Sequence, residues 1–238
     1  MLASKVEMAD ELSDLYANYY HGESLAIKRS LSARASIDHI EEFHPQPLGR
    51  LIDVGAGNGA VLEEIDRRNL ANEAAALEIS ATGIDGIRSR DLSIVKDVRQ
   101  FDGYQIPYED DAFDTAVCIH VLEHVEHERL FLREIGRIAR DIFIEIPLEG
   151  GMRGRVNYKF GHINYYTPLS FKALLETSGL SIVKSKVVTS TLAYEQFVHG
   201  RWPGLLRFAL RRSLLSLVGK HAPNLMTFLM IAHCRRTK

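Results

Sequence analysis

Two cysteines, one tryptophan and no long apolar run set the first limits on this 238-residue chain. Cys118 and Cys234 lie in apolar segments and are too few for a disulfide framework, so they are expected to be buried thiols of a reducing compartment. No stretch reaches the roughly eighteen uninterrupted apolar residues of a spanning helix. The opening residues, MLASKVEMADELSD, carry acids where a secretion signal needs an apolar core. These absences together predict a cytoplasmic protein. Internal repeats and low-complexity tracts are also missing, which excludes solenoids and disordered arrays. Acids are scarce in one region. Residues 153–238 hold 14 Lys or Arg and only two acids, Glu176 and Glu195, while residues 1–152 hold the other 15 basic and 29 acidic side chains. Either the C-terminal part faces something anionic, or the two parts neutralise each other within one fold. Nucleic acid is not favoured, because no RNA-binding module is recognisable and basic residues are not interleaved with aromatics.

What is present is a regular alternation. Residues 8–43 read as helix from the spacing of Leu12, Leu15, Tyr19, Leu31, Ile37 and Ile40, with His21-Gly22 as a break and Pro45 and Pro47 as the stop. Strands are expected at 50–54, 74–79, 92–96, 113–120 and 141–146, the last ending at Pro147. Helices are expected at 60–68, 82–88 and 128–138. Continuous apolar strands separated by helices predict a doubly wound α/β domain with a mostly parallel sheet. The domain is expected to span 1–238, with a helical cap over 1–48. Beyond it come a glycine-rich basic loop (GGMRGR), a helix at 168–178, and strands at 181–189 and 224–233. A helical insertion over 190–223 joins those two strands. Within it, Leu205, Leu206, Ala209, Leu210, Leu214 and Leu217 form an apolar band beside Arg207, Arg211 and Arg212. The band is expected to pack on the sheet or on a second copy with the arginines in solvent. The alternative is peripheral contact of 202–220 with a membrane.

The segment LIDVGAGNGA places a glycine cluster between the first strand and the first following helix. It fits a dinucleotide fingerprint through Gly55, Gly57 and Ala60. It equally fits a D-x-G-x-G-x-G turn through Asp53, Gly55, Gly57 and Gly59. Glycines let the backbone approach a ligand, and helix-start amides receive negative groups. A carboxylate such as Asp53 is unfavourable beside pyrophosphate and favourable beside a cationic amino group. Glu78, at the end of the second strand, suits ribose hydroxyls in either case.

Downstream motifs discriminate. IPY at 106–108, FD at 113–114, VLEH at 121–124 and GHINYYTPLSFKALLETSGL at 161–180 follow in order. With the glycine turn, they make the chain resemble the class I S-adenosylmethionine-dependent methyltransferases over about half its length. The resemblance implies a seven-stranded sheet whose last strand is antiparallel, with S-adenosylmethionine as cofactor. It puts Asp53 near the amino end of the cofactor and Gly55, Ala56, Gly57, Asn58 and Gly59 beneath it. Glu78 would take the ribose, Ile79 the adenine face, Asp97 with Val98 the adenine amino end, and Ile119 with His120 the floor. One departure is the absence of the Lys-Pro-Gly-Gly turn many relatives carry before the fifth strand; here the chain reads RIARDIFIEIP.

The activity implied is methyl transfer to a hydroxyl or other nucleophile of a small-molecule, glycan or lipid-linked acceptor. His120, His124, Glu145, His162 and Tyr165 are the polar residues expected near that acceptor. His120, at a strand end with an ordinary histidine pKa, is the candidate base. No metal is expected, since of His120, His124 and His127 the first belongs to a strand rather than a shared helix face. A monomer and a homodimer both remain open. The alternatives in function are a cofactor-binding regulator or scaffold without transfer activity, and an NAD-dependent oxidoreductase, which Asp53 and the FD…LEH segment disfavour.

Overall fold

The structure, a computed structural model, describes residues 23–149, 161–225 and 228–237. Residues 8–22 of the expected first helix, its His21-Gly22 break and the GGMRGR loop lie outside the described residues. Seven strands form one sheet in the order β3-β2-β1-β4-β5-β7-β6. They are β1 (Arg50–Val54), β2 (Glu73–Glu78), β3 (Val95–Gln100), β4 (Phe113–Ile119), β5 (Ala139–Leu148), β6 (Leu180–Val188) and β7 (Phe228–Arg236). The β3-to-β5 part is parallel, and β7 runs antiparallel to both β5 and β6. The helices are α1 (Glu23–Phe43), α2 (Ala60–Arg67), α3 (Ala81–Ser89), α4 (Glu128–Ile138), α5 (Pro168–Thr177), α6 (Leu192–His199) and α7 (Arg201–Val218). This is the doubly wound arrangement expected.

Strand periodicity divides the core in two. Ile52, Val54, Ala116, Cys118, Ile142 and Ile144 join one buried cluster with Phe131, Leu132 and Ile135 of α4 and Phe171 of α5. Their strand neighbours Leu51, Val117 and Phe143 join the other, with Ile37 and Ile40 of α1 and Leu62 and Ile65 of α2. Successive side chains of a strand point to opposite faces, so apolar runs such as AVCI and IFIEI demand cover on both. Each large apolar side chain so buried contributes about 1.5–3 kcal/mol. Strand order reverses between β1 and β4, and the crevice beyond their carboxyl ends is where such folds bind ligands.

Three elements depart from expectation. The third strand begins at Val95, not residue 92, because Ser93 bonds to Asp66 through its amide (3.3 Å) and hydroxyl (2.9 Å) and holds a turn there. Asp97 therefore lies inside β3, not after it. The fifth strand continues through Pro147, which pairs with Leu229 of β7. The last strand starts later, at Phe228, because Gly219–Asn224 form a 3-10 turn.

The largest departure is α7, whose amphipathicity is inverted. Glu195 of α6 is buried, and Arg207 and Arg211 turn inward to it at 3.1 and 3.2 Å. Trp202, Leu206, Leu210 and Leu217 consequently face outward, with Leu217 84% exposed. The expected band does not pack on the sheet: within it, only Leu214 touches the core, alongside its neighbour Leu215. Among the described residues, no helix is long and apolar enough to cross a membrane.

Candidate active site at the carboxyl ends of the strands

A cavity of about 620 Å³ opens at the topological switch point. Its floor is the glycine turn. Gly55 and Ala56 donate their amides to Leu77 O at 2.8 and 2.9 Å, which folds the end of β1 over β2. Gly55 has φ +82°, and a Cβ there would meet Val121 Cγ2 at 2.4 Å, so this position admits no side chain. Gly59, at φ +80°, caps α2, and Ala60 is the first helical residue. Both positions hold left-handed backbone, which favours glycine.

Asp53, Gly55, Ala56, Gly57, Asn58, Glu78, Ile79, Ile119 and His120 all line the cavity. Glu78 accepts from Gly57 N (2.8 Å) and Ser80 N (3.0 Å), so its carboxylate braces the turn against the start of α3. Burial pushes its pKa up. Asp53 is 1% exposed, and its Oδ2 has no hydrogen-bond partner. Burial and then the charge of Glu78 raise Asp53 to about 8, so with no cation beside it the group is a neutral acid at pH 7. A buried carboxylate oxygen without a partner, beside a glycine turn at the end of β1, fits a ligand with a cationic end. S-adenosylmethionine is such a ligand, and pyrophosphate is not.

Three of the expected residues are not on the lining: Gly59, Asp97 and Val98. Asp97 accepts from Arg99 Nε at 2.7 Å and Tyr108 OH at 2.9 Å, which fixes it at the sheet edge. With β3 ending at Gln100, the position following the strand falls to Phe101, Asp102, Gly103 and Tyr104, which do line the cavity. Asp102 Oδ1 accepts from the amides of Tyr104 and Gln105 at 2.9 and 2.7 Å. The Asp-Gly pair was the sequence signal for this turn. Leu25, Lys28 and Arg29 of α1 and Tyr194 of α6 also reach the cavity, and no sequence signal singled them out.

At the opposite end, His120 sits in left-handed backbone at φ +57°. Such a conformation costs a non-glycine residue about 1–2 kcal/mol and is retained where its surroundings fix it. His120 N donates to Glu145 O at 2.9 Å, and the ring lies between Glu145 Oε1 (3.3 Å) and Glu123 Oε1 (3.6 Å). Burial opposes its charge, but the two carboxylates outweigh burial and lift His120 to about 10. This corrects the expectation of an ordinary pKa: at neutral pH His120 is an imidazolium, a donor and not a base. Glu145 also accepts from Ser36 Oγ of α1 at 2.8 Å and lies behind His120, off the lining. His124 and His162 line the cavity, their rings edge to face at 4.8 Å. Tyr165 is exposed and does not. Cys118 and Cys234 are buried, with burial raising both thiols, Cys234 to about 12.

The sheet order and the cavity at the switch point are those of the class I methyltransferase fold. Comparison with known proteins agrees: the family model for a methyltransferase domain matches residues 26–185. The chain belongs to that family. Among curated proteins it is similar to YrhH of Bacillus subtilis (strain 168), itself classed as a methyltransferase, at 25% identity over 116 residues. It is also similar to ajmaline N-methyltransferase of Rauvolfia serpentina, at 28% identity over 97 residues. These matches take in 47% and 37% of the chain and 64% and 32% of the relatives' own lengths. A crystal structure of geranyl diphosphate C-methyltransferase from Streptomyces coelicolor A3(2), with Mg2+, geranyl diphosphate and S-adenosyl-L-homocysteine, shares the fold. Its TM-score is 0.65 at 16% identity, over 96% of this chain and 98% of that one.

Proposed function

We propose that the chain transfers the methyl group of S-adenosylmethionine to a hydroxyl of a small-molecule, glycan or lipid-linked acceptor. The observation that carries the cofactor end is the unpartnered Asp53 Oδ2 beside the glycine turn. Asp53 holds the ligand's ammonium, Glu78 its ribose hydroxyls, Ile79 and Ile119 its base, and Asp102 the far edge of the adenine. The cofactor supplies a methyl group already activated on a sulfonium, so the protein's work is alignment and exclusion of water. As the acceptor oxygen bonds to the methyl carbon, the carbon–sulfur bond breaks, and the hydroxyl proton must leave. His120 already carries a proton and its two ring nitrogens face Glu123 and Glu145, so it holds those carboxylates in place and is not the base. The proton leaves towards the end of the cavity formed by Glu123, His124 and His162.

The reading of a lipid-linked acceptor is supported by α7. An outward stripe of Trp202, Leu206, Leu210 and Leu217 on the basic C-terminal part suits an anionic bilayer surface. The discriminating experiment is transfer from labelled S-adenosylmethionine to hydroxylated small molecules, glycan intermediates and lipids presented in parallel. Labelled product from any of these classes supports the reading. Tight binding of S-adenosylhomocysteine with no transfer to any class points to a regulator instead, and nicotinamide-dinucleotide binding would overturn the cofactor.

A further inference from the structure

The α1 side of the cavity presents side chains that the cofactor does not use. Leu25, Lys28, Arg29, Ser32 and Ala33 all line it. They recur at helical spacing, so one face of α1 forms a wall of the cavity. One turn further on, Ser36 Oγ donates to Glu145 Oε1 at 2.8 Å, which ties this wall to the group behind His120. At about 1.5 Å per residue, Ser32 stands about 6 Å and Lys28 about 12 Å from Ser36 along the helix axis.

The charge of this wall is of one sign. Among the described residues, no acid of α1 lines the cavity. The acids on the rest of the lining are held elsewhere. Glu78 and Asp102 each accept two backbone amides, Glu123 faces His120, Asp53 is buried beside the glycine turn, and Glu126 is exposed. Lys28 has no ion pair or hydrogen bond with any described residue. It is half-buried on the lining, so its ammonium gives up part of its water with no carboxylate in return. An anion entering the cavity supplies the missing charge. Ser32, four residues on, is the neighbour of Lys28 on the same helix face and adds a hydroxyl donor.

We propose that Lys28 and Ser32 form an anion subsite on the α1 wall, and that it takes the phosphate group of a phosphorylated methyl acceptor. A phosphate monoester carries a charge of about −1.5 to −2 at pH 7 and three acceptor oxygens, so it accepts from the ammonium and the hydroxyl together. Arg29 adds a second positive charge to the same wall. The separation of Lys28 from Ser36, about two helical turns, puts the phosphate several bonds away from the hydroxyl that is methylated. Calling this phosphate part of the methyl acceptor rests on the methyl-transfer reading above; the anion subsite itself does not.

The test is calorimetry at low salt, in which inorganic phosphate is titrated into the full chain with and without saturating S-adenosylhomocysteine. The native chain should bind phosphate at one site in both states. Lys28→Ala should weaken phosphate by about tenfold or more and Lys28→Arg should restore it, while S-adenosylhomocysteine affinity changes less than twofold. Lys172→Ala, an exposed lysine of the basic C-terminal part, should leave phosphate binding unchanged. Vesicles of phosphatidylcholine with phosphatidic acid separate the two sources of the group. Sedimentation that Lys28→Ala weakens assigns the phosphate to a lipid, and sedimentation that it leaves unchanged assigns it to a soluble ester. Absence of phosphate binding by the native chain, or undiminished binding by Lys28→Ala, overturns the subsite. A tenfold loss of S-adenosylhomocysteine affinity in Lys28→Ala also overturns it, because Lys28 would then hold the carboxylate of the cofactor. Lys28-dependent phosphate binding by a chain that takes up no S-adenosylhomocysteine would leave the anion subsite standing and overturn the methyl-transfer reading.

Discussion

Asp53 is a carboxylate held where ionisation is unfavourable, and replacing it with asparagine separates what it costs from what it does. Its pKa rises from the ordinary 3.8 to about 8, first through burial and then through the charge of Glu78. In the unfolded chain the group ionises near its ordinary value, while in the ligand-free folded chain it keeps its proton to about pH 8. The folded state therefore binds the extra proton. Stability falls as pH rises through this window, by about 1.36 kcal/mol per unit, and levels off above it. At pH 7 the accumulated loss is about 4 kcal/mol. Asparagine escapes this loss, although its buried amide needs a partner, at a cost of about 1–2 kcal/mol. Asp53→Asn should accordingly be more stable than the native chain at pH 7 by about 2–3 kcal/mol, which raises the melting temperature by about 5–10 °C. The advantage should vanish near pH 5. The same variant should bind S-adenosylhomocysteine about thirtyfold more weakly or worse at pH 8, because the ligand ammonium loses its buried partner. Native affinity should rise about tenfold per unit between pH 6 and 8, and binding at pH 7 should release about one proton. Urea titrations from pH 5 to 9 and calorimetry in buffers of different ionisation enthalpy measure both. A stability difference unchanged across that range, or binding without proton release, would refute this account of Asp53.

Gly57 lies in left-handed backbone at φ +55° on the cavity lining, so Gly57→Arg should abolish S-adenosylhomocysteine binding in calorimetry; full binding would displace the cofactor from this turn. Glu195 neutralises two inward arginines, so Glu195→Ala should destabilise the α6–α7 pair by about 3–5 kcal/mol. Hydrogen exchange should show the loss in 192–218, and unchanged protection there would show that the arginines do not anchor α7. Replacing Leu206 and Leu210 with serine should reduce sedimentation with anionic liposomes at least tenfold without changing the melting temperature, since both side chains face outward. Native binding should itself weaken with added salt. If the native chain fails to sediment with any lipid, α7 does not bind membranes.

Much of the fold was legible because it is written in local pattern. Apolar runs such as AVCI and IFIEI specify strands buried on both faces, and LIDVGAGNGA carries its own turn, with Gly55 and Gly59 at positive φ. The third strand was misplaced because VKDVRQ is an edge strand. It is covered on few sides and so contains little apolar signal, while the apolar residues just before it belong to a turn pinned by Asp66. That shift moved the position beyond the strand from Asp97 to Asp102.

By itself, the sequence determined the strand-and-helix alternation, the glycine cradle and the acidic Asp53 and Glu78 beside it, since each depends on residues near one another in the chain. Tertiary structure decided what depends on distant neighbours. His120 is a cation because Glu123 and Glu145 flank it. Glu123, His124 and His162 converge because the segment before α5 returns over the turn after β4. The leucines of α7 face outward because one buried carboxylate, Glu195, draws its arginines inward. Charge placed in low dielectric is governed by the nearest opposite charge, and the chain reveals that partner only when folded.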